Sequence, residues 1–208
     1  PTFAPLISVS NRWGYDPIIY LDDSFVRFKF ERGGKTWIEA PFKAWLYQYS
    51  ARDKGRSKEV KLSYRTMALE INKTLEIASG IPYFKLRYDV APASDAKLIE
   101  ARISFFLAWG KAIKSFNVTE RGFRLSTGTG EILVSFDRNL SHVEAGIYKE
   151  FNQHRVFVTL PLKPEGDSFT ITFTNPNPIA QYPENWFTDF RKVLADFKPR
   201  YIVVSKDH

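Results

Sequence analysis

Tyr83-Phe-Lys-Leu-Arg-Tyr-Asp-Val90 is the stretch that decides the fold. Phe84, Leu86, Tyr88 and Val90 are apolar, while Lys85, Arg87 and Asp89 are charged. A strand sends successive side chains to opposite faces and a helix repeats every 3.6 residues, so this spacing predicts a half-buried strand. The same period spreads outward over residues 24–174. Upstream, Val26, Phe28 and Phe30 alternate with Arg27 and Lys29, Gly33-Gly34 turns the chain, and 35–40 returns as a hairpin. Over 42–49 both rows are apolar, with Trp45, Tyr47 and Tyr49 expected on one face. Downstream, 98–109 reads as one long strand with Ile99, Ala101, Ile103, Phe105, Leu107 and Trp109 on one face.

Shorter strands are expected at Val60-Lys-Leu-Ser-Tyr64, Met67-Ala-Leu-Glu-Ile71 and Leu75-Glu-Ile77, and at 122–125, 131–136, 147–151, 155–160 and 168–174. Residues 51–58 and 141–146 read as loops. The first 23 residues mix short apolar runs with turn residues such as Asn11, Gly14 and Asp16-Pro17.

After Asn175-Pro-Asn-Pro178 the period changes. Trp186, Phe187, Phe190, Val193, Leu194 and Phe197 fall on one stripe of a helix that starts near Pro183 and stops at Pro199, with a short strand at 200–204. The expectation is an all-β, mainly antiparallel protein. A large two-layer β-sandwich over 1–178 carries a helix–strand unit at 179–208, packed on it or belonging to a truncated neighbouring domain. The chain begins at Pro1 and stops just after Tyr201-Ile-Val-Val204, which reads as a piece of a longer protein.

Composition narrows the function. Aromatics reach 16%, which suits pleated surfaces and leaves rings over for a binding face. The formal charge is +7, spread along the chain; it favours encounters with polyanions or acidic glycans but reads first as a solvated surface. There is no Cys, which excludes disulfides and thiolate chemistry, and with one Met this fits a thermophilic source. No apolar run reaches the ~20 residues of a membrane-spanning helix, so membrane association is expected only through a missing part of the parent protein. N-x-S/T triplets at Asn72, Asn117 and Asn139 point to an extracytoplasmic surface, or to the soluble part of a membrane-anchored protein; Asn72 is expected between two strands and Asn117 near a strand end.

Candidate chemistry is sparse. His142 and Glu144 share a parity and His154 falls on a following strand, an arrangement that can supply an acid and a base, though 141–146 reads as a loop. Asp16, Asp22 and Asp23 lack calcium-loop spacing and read as turn residues, so no metal and no cofactor is expected. The basic stretch 52–65 contains Asp53 and Glu59 and matches no nucleic-acid motif, so no nucleic-acid partner is expected. The strongest contact candidates are Trp13, Tyr15, Trp45, Tyr47, Tyr49 and Arg52, because flat rings stack on sugar faces while a nearby cation bonds hydroxyls and carboxylates. The same rings packed under a helix would be core.

The run Leu75-Glu-Ile-Ala-Ser-Gly-Ile-Pro-Tyr-Phe-Lys-Leu-Arg-Tyr-Asp-Val90, followed by Asp95 and the strand 98–109, resembles the supersandwich of galactose-mutarotase-like domains over residues 5–175. That resemblance implies either a sugar epimerase or a non-catalytic module of a glycan-handling protein. The family's enzymes use a His and a Glu in a sheet concavity. Neither His142 nor His154 aligns with such a position, so no catalytic residue carries over and the accessory module is the leading expectation. The partner is then an oligosaccharide or the rest of the parent chain. The alternatives are a sugar epimerase and a structural or protein-interaction domain.

Overall fold

The computed structural model describes residues 6–11, 14–20, 26–40, 45–55, 57–78, 83–107, 113–127, 131–148 and 153–174. The helix–strand unit expected at 179–208 lies outside the described residues, as do Asp22, Asp23 and Trp109.

Fifteen strands follow one another: β1 (Leu6–Asn11), β2 (Gly14–Tyr20), β3 (Val26–Arg32), β4 (Lys35–Glu39), β5 (Trp45–Asp53), β6 (Ser57–Arg65), β7 (Leu69–Ala78), β8 (Tyr83–Pro92), β9 (Ala96–Leu107), β10 (Ile113–Thr119), β11 (Gly122–Thr127), β12 (Glu131–Phe136), β13 (His142–Tyr148), β14 (Gln153–Pro161) and β15 (Asp167–Thr174). Every pairing is antiparallel. Among the described residues there is no helix.

Two sheets form. An eight-stranded sheet runs β10-β11-β12-β15-β8-β7-β6-β5. In a seven-stranded sheet β13 and β14 lie on one side of β9, while β2 and β3 share its other edge. β1 extends beyond β2, and β4 beyond β3. The chain enters the seven-stranded sheet for β13 and β14, then returns to the other with β15.

The core is the space between the inner rows. Val26, Phe28, Ala101, Ile103, Phe105, Val156, Val158 and Leu160 of one sheet face Ile71, Leu86, Tyr88, Phe123, Val134, Phe169 and Ile171 of the other, all buried. Phe105 sits edge-on to Phe123, Phe136 and Phe173, at centroid distances of 5.2, 6.5 and 6.2 Å. Tyr88 stacks on Phe169 at 5.2 Å and meets Phe28 at 6.3 Å. Such ring contacts add about 0.5–1.5 kcal/mol each beyond area burial. They bind the sheets at two separate points.

Several local expectations are corrected. β5 continues to Asp53 and β6 begins at Ser57, so most of the loop expected at 51–58 is hairpin strand. The two strands expected at 67–71 and 75–77 are the single strand β7, because Lys73 continues the inner row of Leu69, Ile71 and Leu75. Asn72 therefore lies mid-strand, its amide oxygen accepting a bond from Ser63 Oγ at 2.6 Å. Asn117 lies within β10 and is exposed. Residues 142–146 are not a loop. The Ser141 N–H and hydroxyl both donate to the Thr159 carbonyl, at 3.0 and 2.9 Å, and launch β13 along β14. Finally, Lys29 stands opposite Glu100 but Phe30 opposite Leu98, which makes Ile99 an extra residue. Beyond that bulge the rows exchange, and Leu98 rather than Ile99 is buried with Ala101.

Candidate functional site

The fold divides the ring set. Trp13 lies outside the described residues, and Tyr15 stands in β2 opposite Ser10, in the seven-stranded sheet. Trp45, Tyr47, Tyr49 and Arg52 belong to β5, at the edge of the other sheet. A bulge falls between Leu46 and Gln48, so Tyr47 is the extra residue. The register sets Trp45 opposite exposed Arg65, then Tyr49 opposite buried Leu62. Tyr49 packs against the core, and Arg52, opposite Glu59, is on the solvent side. The register thus puts one inserted residue, Tyr47, between Trp45 and Tyr49 along the strand.

The histidines separate in the same way. His142 and Glu144 share the outer row of β13, with Nε2 and Oε2 4.0 Å apart. His154 stands opposite Ile147, at a position in the row of Val156, Val158 and Leu160, which is the other row.

A different group converges on the outer face of the seven-stranded sheet. One cross-strand row is Glu144, Phe157 and Ser104; the next is His142, Thr159, Arg102 and Arg27. The Arg102 guanidinium lies 4.6 Å from the centroid of the half-buried Phe157 ring and 3.5 Å from Glu144. Lys29 and Glu100 are 3.6 Å apart beside it. Arg27 stands directly opposite Arg102, a like-charge pair that disfavours the sheet unless an anion lies between. Ser104 is 3% exposed and its hydroxyl has no hydrogen-bond partner among the described residues. A buried hydroxyl without a partner costs about 1–3 kcal/mol.

The eight-stranded sheet presents an outer face with several close ion pairs beside longer ones, Arg124 with Glu131 at 3.3 Å and Lys61 with Glu59 at 3.5 Å. Arg65 meets Glu70 at 2.5 Å, Arg87 meets Asp89 at 2.7 Å, and Lys54 meets Glu59 at 2.6 Å. The Lys54 ammonium bonded to Glu59, helped by Lys61, holds that carboxyl below its ordinary value. At the start of β15, Asp167 takes both guanidinium nitrogens of Arg138, at 2.7 and 3.1 Å, and the backbone N–H groups of Lys163 and Ser168. Burial pushes the Asp167 carboxyl up, but these bonds and the Arg138 charge outweigh it and hold it low.

Two telling residues have a sequence signal that period reading alone passes over. Phe157 is the ring in the polar row of Arg155 and Thr159. Lys73 interrupts the apolar row Leu69, Ile71, Leu75, and is 1% exposed with Nζ 5.8 Å from the Tyr88 ring centroid. Among the described residues no three His, Asp or Glu side chains gather to hold a metal.

No protein-family model and no curated protein matches this chain. Solved structures similar to it include a protein assigned as a kojibiose phosphorylase from the human microbiome, 12% identical, with a TM-score of 0.41 over 92% of this chain. Another is a 4-alpha-glucanotransferase from Thermococcus litoralis, 12% identical, with a TM-score of 0.39 over 77% of this chain. The alignments span 28% of each of those chains. No family follows from likeness at this level.

Proposed function

We propose that this chain is a non-catalytic, supersandwich-type module of a larger glycan-handling protein, and that it binds an acidic oligosaccharide on the outer face of the seven-stranded sheet. The observation that supports this reading is the opposed pair Arg27 and Arg102 beside the half-buried Phe157 ring. A uronic-acid carboxylate relieves the repulsion between the arginines by accepting charge-assisted bonds. Glu144, His142 and Thr159 border the same place and suit hydroxyl groups. The ring offers an apolar surface beneath.

Acid–base catalysis is the weaker reading. His142 and Glu144 have side chains 65% and 56% exposed, so neither lies in a site that excludes water. Of the original ring set, Trp13, Tyr15, Trp45, Tyr47 and Arg52 remain proposed contacts, while Tyr49 serves the core.

Calorimetric titration with uronic-acid oligomers and with neutral glucose oligomers tests the reading. Binding of the acidic series, weakened at least about tenfold by Arg27→Ala or Arg102→Ala, is expected. Loss on Trp45→Ala instead would move the site to the other sheet. Silence with both series removes the glycan claim.

A further inference from the structure

β4 is an edge strand with an unusual surface. Its sequence is Lys35-Thr-Trp-Ile-Glu39, and among the described residues it pairs only with β3. Trp37 is 52% exposed and Ile38 60% exposed, neighbours on a strand whose outer backbone edge has no strand partner among the described residues. Trp37 does not swing freely, since its indole N–H donates to the Arg32 carbonyl at 3.3 Å.

The hairpin fixes which backbone groups face outward. Gly33 and Gly34 have φ of +58° and +69° and close a two-residue turn with Arg32 opposite Lys35. The pair flanking such a turn exchanges hydrogen bonds, and bonded and non-bonded pairs then alternate along the ladder. Lys35, Trp37 and Glu39 therefore direct their N–H and C=O groups to β3. Those of Thr36 and Ile38 point away from it.

We infer that this edge pairs with the same edge of a second copy, antiparallel and centred on Trp37. In that register Thr36 exchanges both backbone bonds with the second copy's Ile38, using the groups that β3 leaves free. Trp37 meets the second copy's Trp37 as a non-bonded pair, the arrangement that brings side chains closest. Lys35 stands opposite the second copy's Glu39, and Glu39 opposite its Lys35. The strand's charge order is thus complementary to itself when reversed, as a two-fold interface requires. A parallel pairing or a register slip loses the charge match. The complex joins the two seven-stranded sheets into one.

Sedimentation velocity on the full chain, from about 1 to about 500 µM, tests this. The expected result is a monomer–dimer equilibrium within that range. Lys35→Glu should raise the midpoint concentration at least about tenfold, because it creates a like-charge pair on each side of the axis. Lys35→Glu combined with Glu39→Lys should restore it. The chain has no cysteine, so a second test is independent of that reversal. Trp37→Cys places two thiols about 4.5 Å apart at Cα and should oxidise to a covalent dimer, whereas Thr36→Cys should not. A monomer at every concentration overturns the proposal. So does a dimer that ignores Lys35→Glu, or one that crosslinks as readily through position 36.

Discussion

The two outer faces of this sandwich are built from the same alternation, yet they spend their charges differently. On the eight-stranded sheet, Arg65, Arg87 and Lys54 are each bonded to a carboxylate within 2.7 Å, beside longer pairs at Arg124 and Lys61. The seven-stranded sheet has one pair as close, Arg32 with Asp95 at 2.6 Å, at the hairpin end of β3. On the seven-stranded sheet the contacts of Lys29, Arg102 and His142 with carboxylates run from 3.5 to 4.0 Å, Arg27 faces another arginine, and a hydroxyl is buried without a partner among the described residues. A polar row therefore says that a face is wetted, not what it does. What separates a solvated face from a candidate binding face is whether its polar groups are already satisfied by one another. The first kind of face offers a ligand little; the second holds its capacity in reserve.

Mutations should separate the two kinds of charge, and the largest effect belongs to the satisfied side. Asp167→Ala removes the carboxylate shared by Arg138, Lys163 N and Ser168 N, and should lower unfolding stability by roughly 2–4 kcal/mol in urea titrations. The pH dependence has a definite sign. Because the folded carboxyl titrates below its ordinary range, its contribution is present above the unfolded value and is lost as pH falls through the lower folded one. Asp167→Asn should flatten that acid-side slope. Arg102→Ala is the counterpart: about 1.4 kcal/mol or more of acidic-glycan affinity lost, with a melting temperature close to that of the native chain. If Arg102→Ala unfolds the protein while Asp167→Ala is silent, the contrast between the faces is wrong.

How far the sequence reveals this can be traced residue by residue. Alternation at Val26, Phe28 and Phe30 and at Leu86, Tyr88 and Val90 identifies inner rows that the fold buries, because period 2 is a local property of the backbone. The bulges at Tyr47 and Ile99 are invisible to that reading. Each is fixed by the register of the neighbouring strand, and each reverses every side chain beyond it. That is why Tyr49 packs against the core, and why Leu98 replaces Ile99. The strand at β13 was obscured by polar residues suited equally to turns, and only its bonds to Thr159 decide the matter. The Arg27–Arg102 pair was beyond reach, since 75 positions of chain separate residues that only the β3–β9 register makes neighbours.

Ser104→Ala sharpens the comparison at smaller cost. If the hydroxyl is held in reserve for a ligand, deleting it should raise stability by about 1 kcal/mol, because a buried polar group without a partner is removed. A Ser104→Ala protein that is less stable than the native chain would show that the hydroxyl is satisfied in solution, and the reserve argument would lose its clearest support.

The smallest expected effect lies in the pair that looks strongest. Arg65 and Glu70 are 2.5 Å apart, yet their side chains are 58% and 50% exposed. Water solvates each partner almost as well as the other does, and holding two long side chains together costs rotamer freedom. A double-mutant cycle with Arg65→Ala and Glu70→Ala should therefore return a coupling of roughly 0.2–1 kcal/mol, shrinking as salt is raised. Close pairing on this face would then be a matter of leaving nothing for a ligand to recognise rather than of holding the sheet together. A salt-insensitive coupling above about 2 kcal/mol would place Arg65 and Glu70 with Asp167 as structural groups, and the distinction would have to be drawn by burial instead of by satisfaction.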